Sequence, residues 1–412
     1  MLLKDIKGLV QVREKTEKPL KGKEMQDLPV LENAWLLLKN GFIEDYGAMG
    51  KIPHNEEETI DCSGRFVFPT YVDSHTHLVF AGSREHEFEM RNRGASYEEI
   101  AKNGGGILNS ANLLGRTGAD VLISEAEKRL HEIISYGTGA VEIKSGYGLT
   151  LESEIKILQV IRQIKFDSPI PVKATFLGAH AIPAEYKNNR KGYIDLIINE
   201  MLPVIGIEGL ADYVDVFCDR GFFTPEETDT ILKAGIEHGL LPRLHANELD
   251  NSGGVQVGVA NEVLSVDHLE YIGDEEIKAL LNSETMPTLL PSTAFFLNLP
   301  YAPARKMIDA GLPVALASDY NPGTSPSGNM NMVLSLACLY MKMTPEEAIN
   351  AATINSAHSL QLLHTQGSIT KGKSASVFIT KPMPSYTYLP YSFGSNLIEK
   401  VILHGRVWKG DD

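Results

Sequence analysis

The sequence predicts an α/β fold: a (β/α)8 TIM-like barrel carrying a small β-sandwich module built from both termini. Three observations point to it. From about Val67 to Leu316, short β-branched runs alternate with longer stretches of helical periodicity, the rhythm of βα units around a parallel sheet. Eight such runs are present, the number that closes a barrel. Both flanks abandon this rhythm for short strand-like runs bounded by Gly, Pro or Asn.

Taken in order, the flank before about Ser63 includes VLENAWLLLKNGFIEDYG. The eight strand runs are FVFPTYVD, GAVEIKS, PVKATFLG, YVDVFCD, LPRLHANE, VLSVDHLE, MPTLLPS and LPVALASD. Between them lie segments such as LESEIKILQVIRQI and PEETDTILKAGIEHG, whose apolar residues recur every three and four positions and so form one helical face. After about Gln366 come SASVFIT and NLIEKVILHGRVWKG. The expected division is a β-sandwich module of residues 1–63 and 366–412 and a barrel of residues 64–365. There is no internal repeat beyond the βα rhythm and no low-complexity segment.

A chain of 412 residues with 43% hydrophobic and 22% charged residues can bury a large core. Its net charge of −15, with no dense run of Lys and Arg, argues against nucleic acid or anionic lipid as a partner. A small anionic substrate is compatible with that charge, because a few local cations decide its fate within a cleft. Cys62, Cys218 and Cys338 are odd in number, far apart and without CxxC spacing, which favours a reducing compartment. The first residues have no apolar leader core, and no stretch approaches about 18 uninterrupted apolar residues. A cytoplasmic location is therefore expected.

The strongest local signal is His75-Thr76-His77, directly after the first strand run. Residues two apart on an extended chain point to the same side, so both imidazoles can face one metal. With 12 histidines in the chain such a pair arises by chance often enough that position must decide. His245 ends the fifth run, His268 the sixth and Asp319 the eighth. Polar titratable residues at the mouths of different barrel strands converge in space. Two imidazoles from strand one, one from strand five and a carboxylate from strand eight suit a zinc or ferrous ion with a position open to water. The fourth run ends VDVFCDR, with Cys218 and Asp219 and no lysine that could bridge a second ion, and Lys144 belongs to strand two, so one divalent metal per chain is favoured.

Glu248 lies three residues beyond His245 and can relay a proton; the alternative is a solvated loop glutamate. His268, not needed for the metal set, can polarise a carbonyl or hold water; the alternative is a structural histidine. Arg84, in the long loop after strand one, can pair bidentately with a carboxylate, or be surface charge. The triplet Gly104-Gly105-Gly106 lacks the Lys and Ser/Thr of a phosphate cradle and reads as flexible loop.

With these residues stand VDSHTHLVFAGSREHEF, GASYEEIAKNGGGI, EIKSGYGL, TFLGAHAIPAEY, LHANE, VDHLEYI and ALASDYNPGTSP. The chain resembles the imidazolonepropionase family of the amidohydrolase superfamily over nearly its whole length. HxH alone marks the superfamily, and the combination marks the family. The resemblance implies hydrolysis of the cyclic amide C–N bond of 4-imidazolone-5-propanoate to N-formimidoyl-L-glutamate, in histidine degradation. It implies metal binding by His75, His77, His245 and Asp319, and the chemistry of these positions makes Glu248, His268 and Asp319 the expected catalytic residues. Substrate contacts are implied for Arg84, Tyr147, His180, Glu248, Asn321, Gly323 and Thr324, with Tyr97 as a further candidate. A propionate needs a cation such as Arg84, and a planar ring with N–H and C=O edges needs donors and acceptors such as Tyr147, His180 and Asn321. The rivals are a nucleobase-type deaminase of the same superfamily and a non-catalytic scaffold, whose usual mark, missing ligands, is not seen. Association into a homodimer is an expectation for barrels of this sort.

Overall fold

Burial along the strands separates two sheets, and residue pattern explains each. Strands that face water on one side mix buried and exposed positions, whereas strands covered on both faces read as continuous apolar runs. The computed structural model describes residues 1–53, 58–95, 99 and 105–410; Tyr97 and Gly104 lie outside the described residues.

In chain order the first strands are β1 (Leu2–Val10), β2 (Val30–Lys39), β3 (Phe42–Ala48), β4 (Thr59–Asp61) and β5 (Phe66–Pro69). The barrel follows as β6 (Tyr71–Asp73), β7 (Thr138–Lys144), β8 (Val172–Ala179), β9 (Tyr213–Cys218), β10 (Leu241–Pro242), β11 (Leu244–Ala246), β12 (Ser265–His268), β13 (Met286–Leu289) and β14 (Ala315–Leu316). The chain finishes with β15 (Val377–Thr380), β16 (Ile398–Leu403) and β17 (Arg406–Val407).

Strands from both ends form one sheet in the order β17-β16-β15-β5-β1-β2-β3, with β4 beside β1. A bridge between Phe42 and Ser374 brings β3 round to the segment before β15. The inner face buries Leu3, Ile6, Leu36, Ile43, Val377 and Ile402 as a core of its own. The second sheet runs β6-β7-β8-β9-β11-β12-β13-β14, all parallel, with the short β10 at the side of β9. A parallel bridge from Thr76 to Tyr320 closes it into a barrel; His77 N donates to Tyr320 O (2.8 Å) and Asp319 N to His75 O (3.0 Å).

The run FVFPTYVD, read as a single strand, is two. Phe66–Pro69 pairs with β1 and β15 in the terminal sheet, and only Tyr71–Asp73 belongs to the barrel. Pro69 has no N–H to continue a ladder, and partners change at Thr70, whose N donates to Ser376 O while Tyr71 N donates to Gly137 O. LPRLHANE likewise splits around Arg243, whose guanidinium is fully buried.

The covering helices start where side chains can satisfy their free N–H groups. Thr150 accepts from Ser153 N ahead of the helix Leu151–Asp167, which turns Ile157, Ile161 and Ile164 inward. Thr224 and Glu227 form a reciprocal capping box, with Pro at the first turn, ahead of Pro225–Glu237. Among the described residues no helix is long and apolar enough to cross a membrane.

Candidate active site

At one end of the barrel the strands stop and their last residues turn inward. His75 and His77, just past β6, are both buried, with ring centroids 5.5 Å apart. His245, on β11, brings its ring within 4.5 Å of His75. One ring nitrogen from each of His75, His77 and His245 lies within 4.8 Å of the others. Asp319 Oδ1, beyond β14, sits 3.5 Å from Nε2 of both His75 and His77. The structure thus gathers all four residues read as ligands.

This set fits a divalent ion. His75 Nε2, which faces Asp319 Oδ1, is buried without a hydrogen-bond partner among the described residues, which leaves a polar atom that a cation would satisfy. Burial, followed by the nearby Lys144 for His75 and His180 for His77, holds both imidazoles well below their ordinary pKa. Neutral rings offer lone pairs. The donors, imidazole and carboxylate, are those that bind zinc or iron.

Beneath the candidate ligands lies a layer of charge of which the sequence reading named only Lys144. Asp267 Oδ2 is 2.6 Å from His75 Nδ1. Asp215 Oδ2 lies 3.0 Å from His245 Nδ1, close enough for an ion pair though not aligned as a hydrogen bond, and its Oδ1 accepts from His245 N at 3.1 Å. Lys144 Nζ donates to Glu142 Oε1 and Asp215 Oδ2, both at 2.8 Å. Arg243 Nη2 lies 3.5 Å from Asp267 Oδ2. All five of these side chains are fully enclosed. Their signal in the sequence was present: charged residues inside otherwise apolar strand runs, as in VEIK, VDVF and SVDH.

His268 stands next to Glu248 (Nε2 to Oε2, 3.7 Å) and Glu270 (Nδ1 to Oε2, 3.8 Å). Burial opposes its charge, yet the two carboxylates outweigh that and raise its pKa to about 10. Glu248 is pushed up to about 7, chiefly by burial, with His268 pulling the other way. Asp219 Oδ2 accepts from the backbone N of Glu248 (2.8 Å) and Leu249 (2.9 Å), which fixes the turn after β11. Asn247, His268, Leu269 and Asp319 all have left-handed backbones, with φ of 59°, 86°, 69° and 54°. Side chains at such positions are strained, and strain of this kind gathers at functional sites.

The remaining expected contacts line the same mouth. Tyr147 and His180 pack with His77, their ring centroids 5.6 and 5.5 Å from it. Glu154 accepts from the N of Gly146, Gly148 and Leu149, so the turn that carries Tyr147 is held by one carboxylate. His180 Nδ1 meets Gly146 O at 3.0 Å, and burial, then His245, lowers its pKa to about 3. Asn321 Oδ1 accepts from Gly323 N and Thr324 N while its Nδ2 donates to Asp319 O, knitting the loop to Asp319. Thr293 Oγ1 donates to Asp319 Oδ2 at 2.5 Å. Arg84 is paired through Nε and Nη2 with Glu87 (2.9 and 2.6 Å), a partner the sequence reading missed. A Cβ on Gly323 would fall 2.0 Å from Arg84 Nη1, so the guanidinium lies directly over that loop.

Comparison with known proteins follows this geometry. Residues 66–408 match the model of the amidohydrolase family. The chain is 54% identical over 408 residues to an imidazolonepropionase of Christiangramia forsetii, covering 99% of both chains. It is 42% identical over 413 residues to an imidazolonepropionase of Geobacillus thermodenitrificans, covering 99% of this chain and 97% of the relative. Among solved structures, a 5-methylcytosine deaminase from Klebsiella pneumoniae liganded with 5-fluorocytosine superposes with a TM-score of 0.75 at 17% identity, covering 100% and 98% of the two chains, a likeness of fold alone. The chain belongs to the amidohydrolase family, within its imidazolonepropionase branch.

Proposed function

We propose that this protein hydrolyses the cyclic amide C–N bond of 4-imidazolone-5-propanoate to N-formimidoyl-L-glutamate. The observation that carries the reading is 54% identity along 99% of the chain to a relative named for that activity. A deaminase reading rests on neighbours that share only the fold.

His75, His77, His245 and Asp319 would hold one divalent ion, zinc or iron; a single ion is favoured because strand β9 ends in Cys218 and the Lys144 ammonium is engaged by Glu142 and Asp215. Bound there, such an ion lowers the pKa of water from 15.7 toward roughly 7. The side chains do the rest. Asp319 takes the proton of the attacking water, and His268, cationic beside two carboxylates, stabilises the negative charge on the ring carbonyl oxygen. Glu248, raised to about 7, can both hold and release a proton near neutral pH and so delivers it to the departing ring nitrogen. Arg84 binds the propionate, while Tyr147, His180, Glu248, Asn321, Gly323 and Thr324 hold the ring and its chain; Tyr97 is proposed as a further substrate contact. The small anionic substrate, a cytoplasmic site of action, a homodimer, and a β-sandwich module of residues 1–63 and 366–412, joined by strand β5 (Phe66–Pro69), around a barrel drawn from residues 64–365 complete the proposal.

The test follows loss of imidazolone ultraviolet absorbance beside a panel of nucleobases. Turnover of the imidazolone and of no nucleobase is expected, and His245→Ala should abolish it. Near-normal turnover by His245→Ala with metal supplied would end the assignment.

A further inference from the structure

We propose that Asp267 and Asp215 are positioning residues for the metal ligands: each selects which nitrogen of a histidine faces the ion, and Lys144 and Arg243 hold the two carboxylates in place. The inference rests on the reading of His75, His77, His245 and Asp319 as ligands.

An imidazole can offer either nitrogen, and the one that is hydrogen-bonded is not available. Asp267 Oδ2, 2.6 Å from His75 Nδ1, keeps the proton on that atom. The lone pair is then left on Nε2, the atom that is buried without a partner and faces Asp319 Oδ1 at 3.5 Å. Asp215 acts on His245 at β11 through charge and position rather than an aligned ring hydrogen bond: its carboxylate 3.0 Å from Nδ1 favours the proton on that nitrogen. Its Oδ1 accepts from the backbone N of His245 and its Oδ2 faces Nδ1, so both the strand and the ring are referred to one carboxylate. Successive residues of a strand point to opposite faces, yet Asp267 and His268 both reach the site. The left-handed backbone at His268, φ 86°, breaks the alternation and lets neighbouring residues serve the ring of His75 and the substrate face together.

Neither carboxylate can drift. Lys144 Nζ bonds Asp215 Oδ2 and Glu142 Oε1 at 2.8 Å and lies 3.8 Å from Asp267 Oδ2. Arg243 is anchored through Nη1 to Ser359 O (2.9 Å) and through Nη2 to Ser74 O (3.0 Å), one residue before His75. Glu142 is fixed in turn by Thr175 Oγ1. Strands β6, β7, β9, β11 and β12 are thereby joined by charge beneath the ligands, a preorganised support whose loss in other metal sites costs about 10- to 100-fold in affinity.

The experiment uses the full chain stripped of metal, titrated with zinc chloride against a chromophoric chelator, alongside Asp267→Asn, Asp215→Asn and His75→Ala. Each Asn variant is expected to weaken zinc binding by about 10- to 100-fold with the stoichiometry unchanged; the zinc-free melting temperature falls as well, because Lys144 or Arg243 loses a buried counter-charge, so affinity measured well below that temperature is the deciding readout. A purely structural role would lower the melting temperature and leave affinity unchanged. Zinc affinity within about threefold of wild type in the Asn variants, while His75→Ala abolishes binding, would overturn the inference and spare the ligand set. Unaltered affinity in His75→Ala would overturn both. Should Asp267→Asn fail to fold, Asp215→Asn decides the question at His245.

Discussion

Arg84, proposed to bind the propionate, is already engaged on one side. Its Nε and Nη2 are held by Glu87, which also accepts from Gly106 N at 2.8 Å, so the guanidinium plane is fixed and Nη1 projects over Gly323. Arg84→Ala is expected to raise KM for the propionate-bearing imidazolone by at least about tenfold, the loss of a charge-assisted pair of some 1.5–3 kcal/mol, while zinc stoichiometry stays at one. Gly323→Ala should act the same way through displacement of the guanidinium; steady-state kinetics with a zinc assay check both. The thiols offer a second expectation. Burial pushes Cys62 and Cys338 up to about 12 and Cys218 up to about 11, so little thiolate exists near neutral pH. A chromogenic disulfide reagent at pH 8 should leave the native thiols unmodified and titrate all 3 once the chain is unfolded.

At the scale of elements, Glu227 serves two masters. It closes the capping box with Thr224 and receives Arg190 through Nε (3.0 Å) and Nη2 (2.6 Å), tying neighbouring helices together. Thr224→Ala should cost about 1 kcal/mol of stability, read by denaturant unfolding, with kcat unchanged because the cap lies outside the site. The barrel strands were legible because, covered on both faces, they carry apolar β-branched runs interrupted only by a few buried charges, and the candidate ligands because they stand where those runs end. The partner change at Thr70 was not legible: Phe68 and Tyr71 are both aromatic and equally buried, and only the ladder distinguishes their sheets. The pairing of Arg84 with Glu87 escaped for a similar reason, since nothing in the spacing says whether an arginine answers a substrate or its own helix. Tyr147 and His180 entered through family resemblance. Their role in the wall depends on the turn that Glu154 holds, a contact between a loop and a helix that spacing does not encode.

For the molecule as a whole, the metal is expected to be a folding ligand as well as a catalytic one. An ion bound by the native state alone stabilises it by about 2.7 kcal/mol at a hundredfold excess over Kd, so chelation should lower Tm and zinc or iron should restore it. Less than about a tenth of an equivalent of metal, not restored on incubation, would instead favour a scaffold. The terminal sheet contributes a pH dependence. Burial lowers the pKa of Lys373 from 10.5 to about 8, while its Nζ donates to Gln366 O. Between those values the unfolded chain binds the proton more readily than the folded one, so stability rises with pH; below about 8 the penalty is fully present. Relative to Lys373→Met, the wild-type Tm should therefore increase from pH 7 to pH 10, and a constant difference would refute the linkage.

The bridge from Thr76 to Tyr320 has a consequence in time. It joins positions remote along the chain, and contacts of that kind cost the most closure entropy and form late. A growing polypeptide can fold strand upon strand as it leaves the ribosome, yet Asp319 joins the three imidazoles only when the circle shuts. Amides of His77 and Asp319, which donate across that junction, would then report a late event: in pulse-labelling during refolding, they should gain protection after those in the interior of β7 and β8.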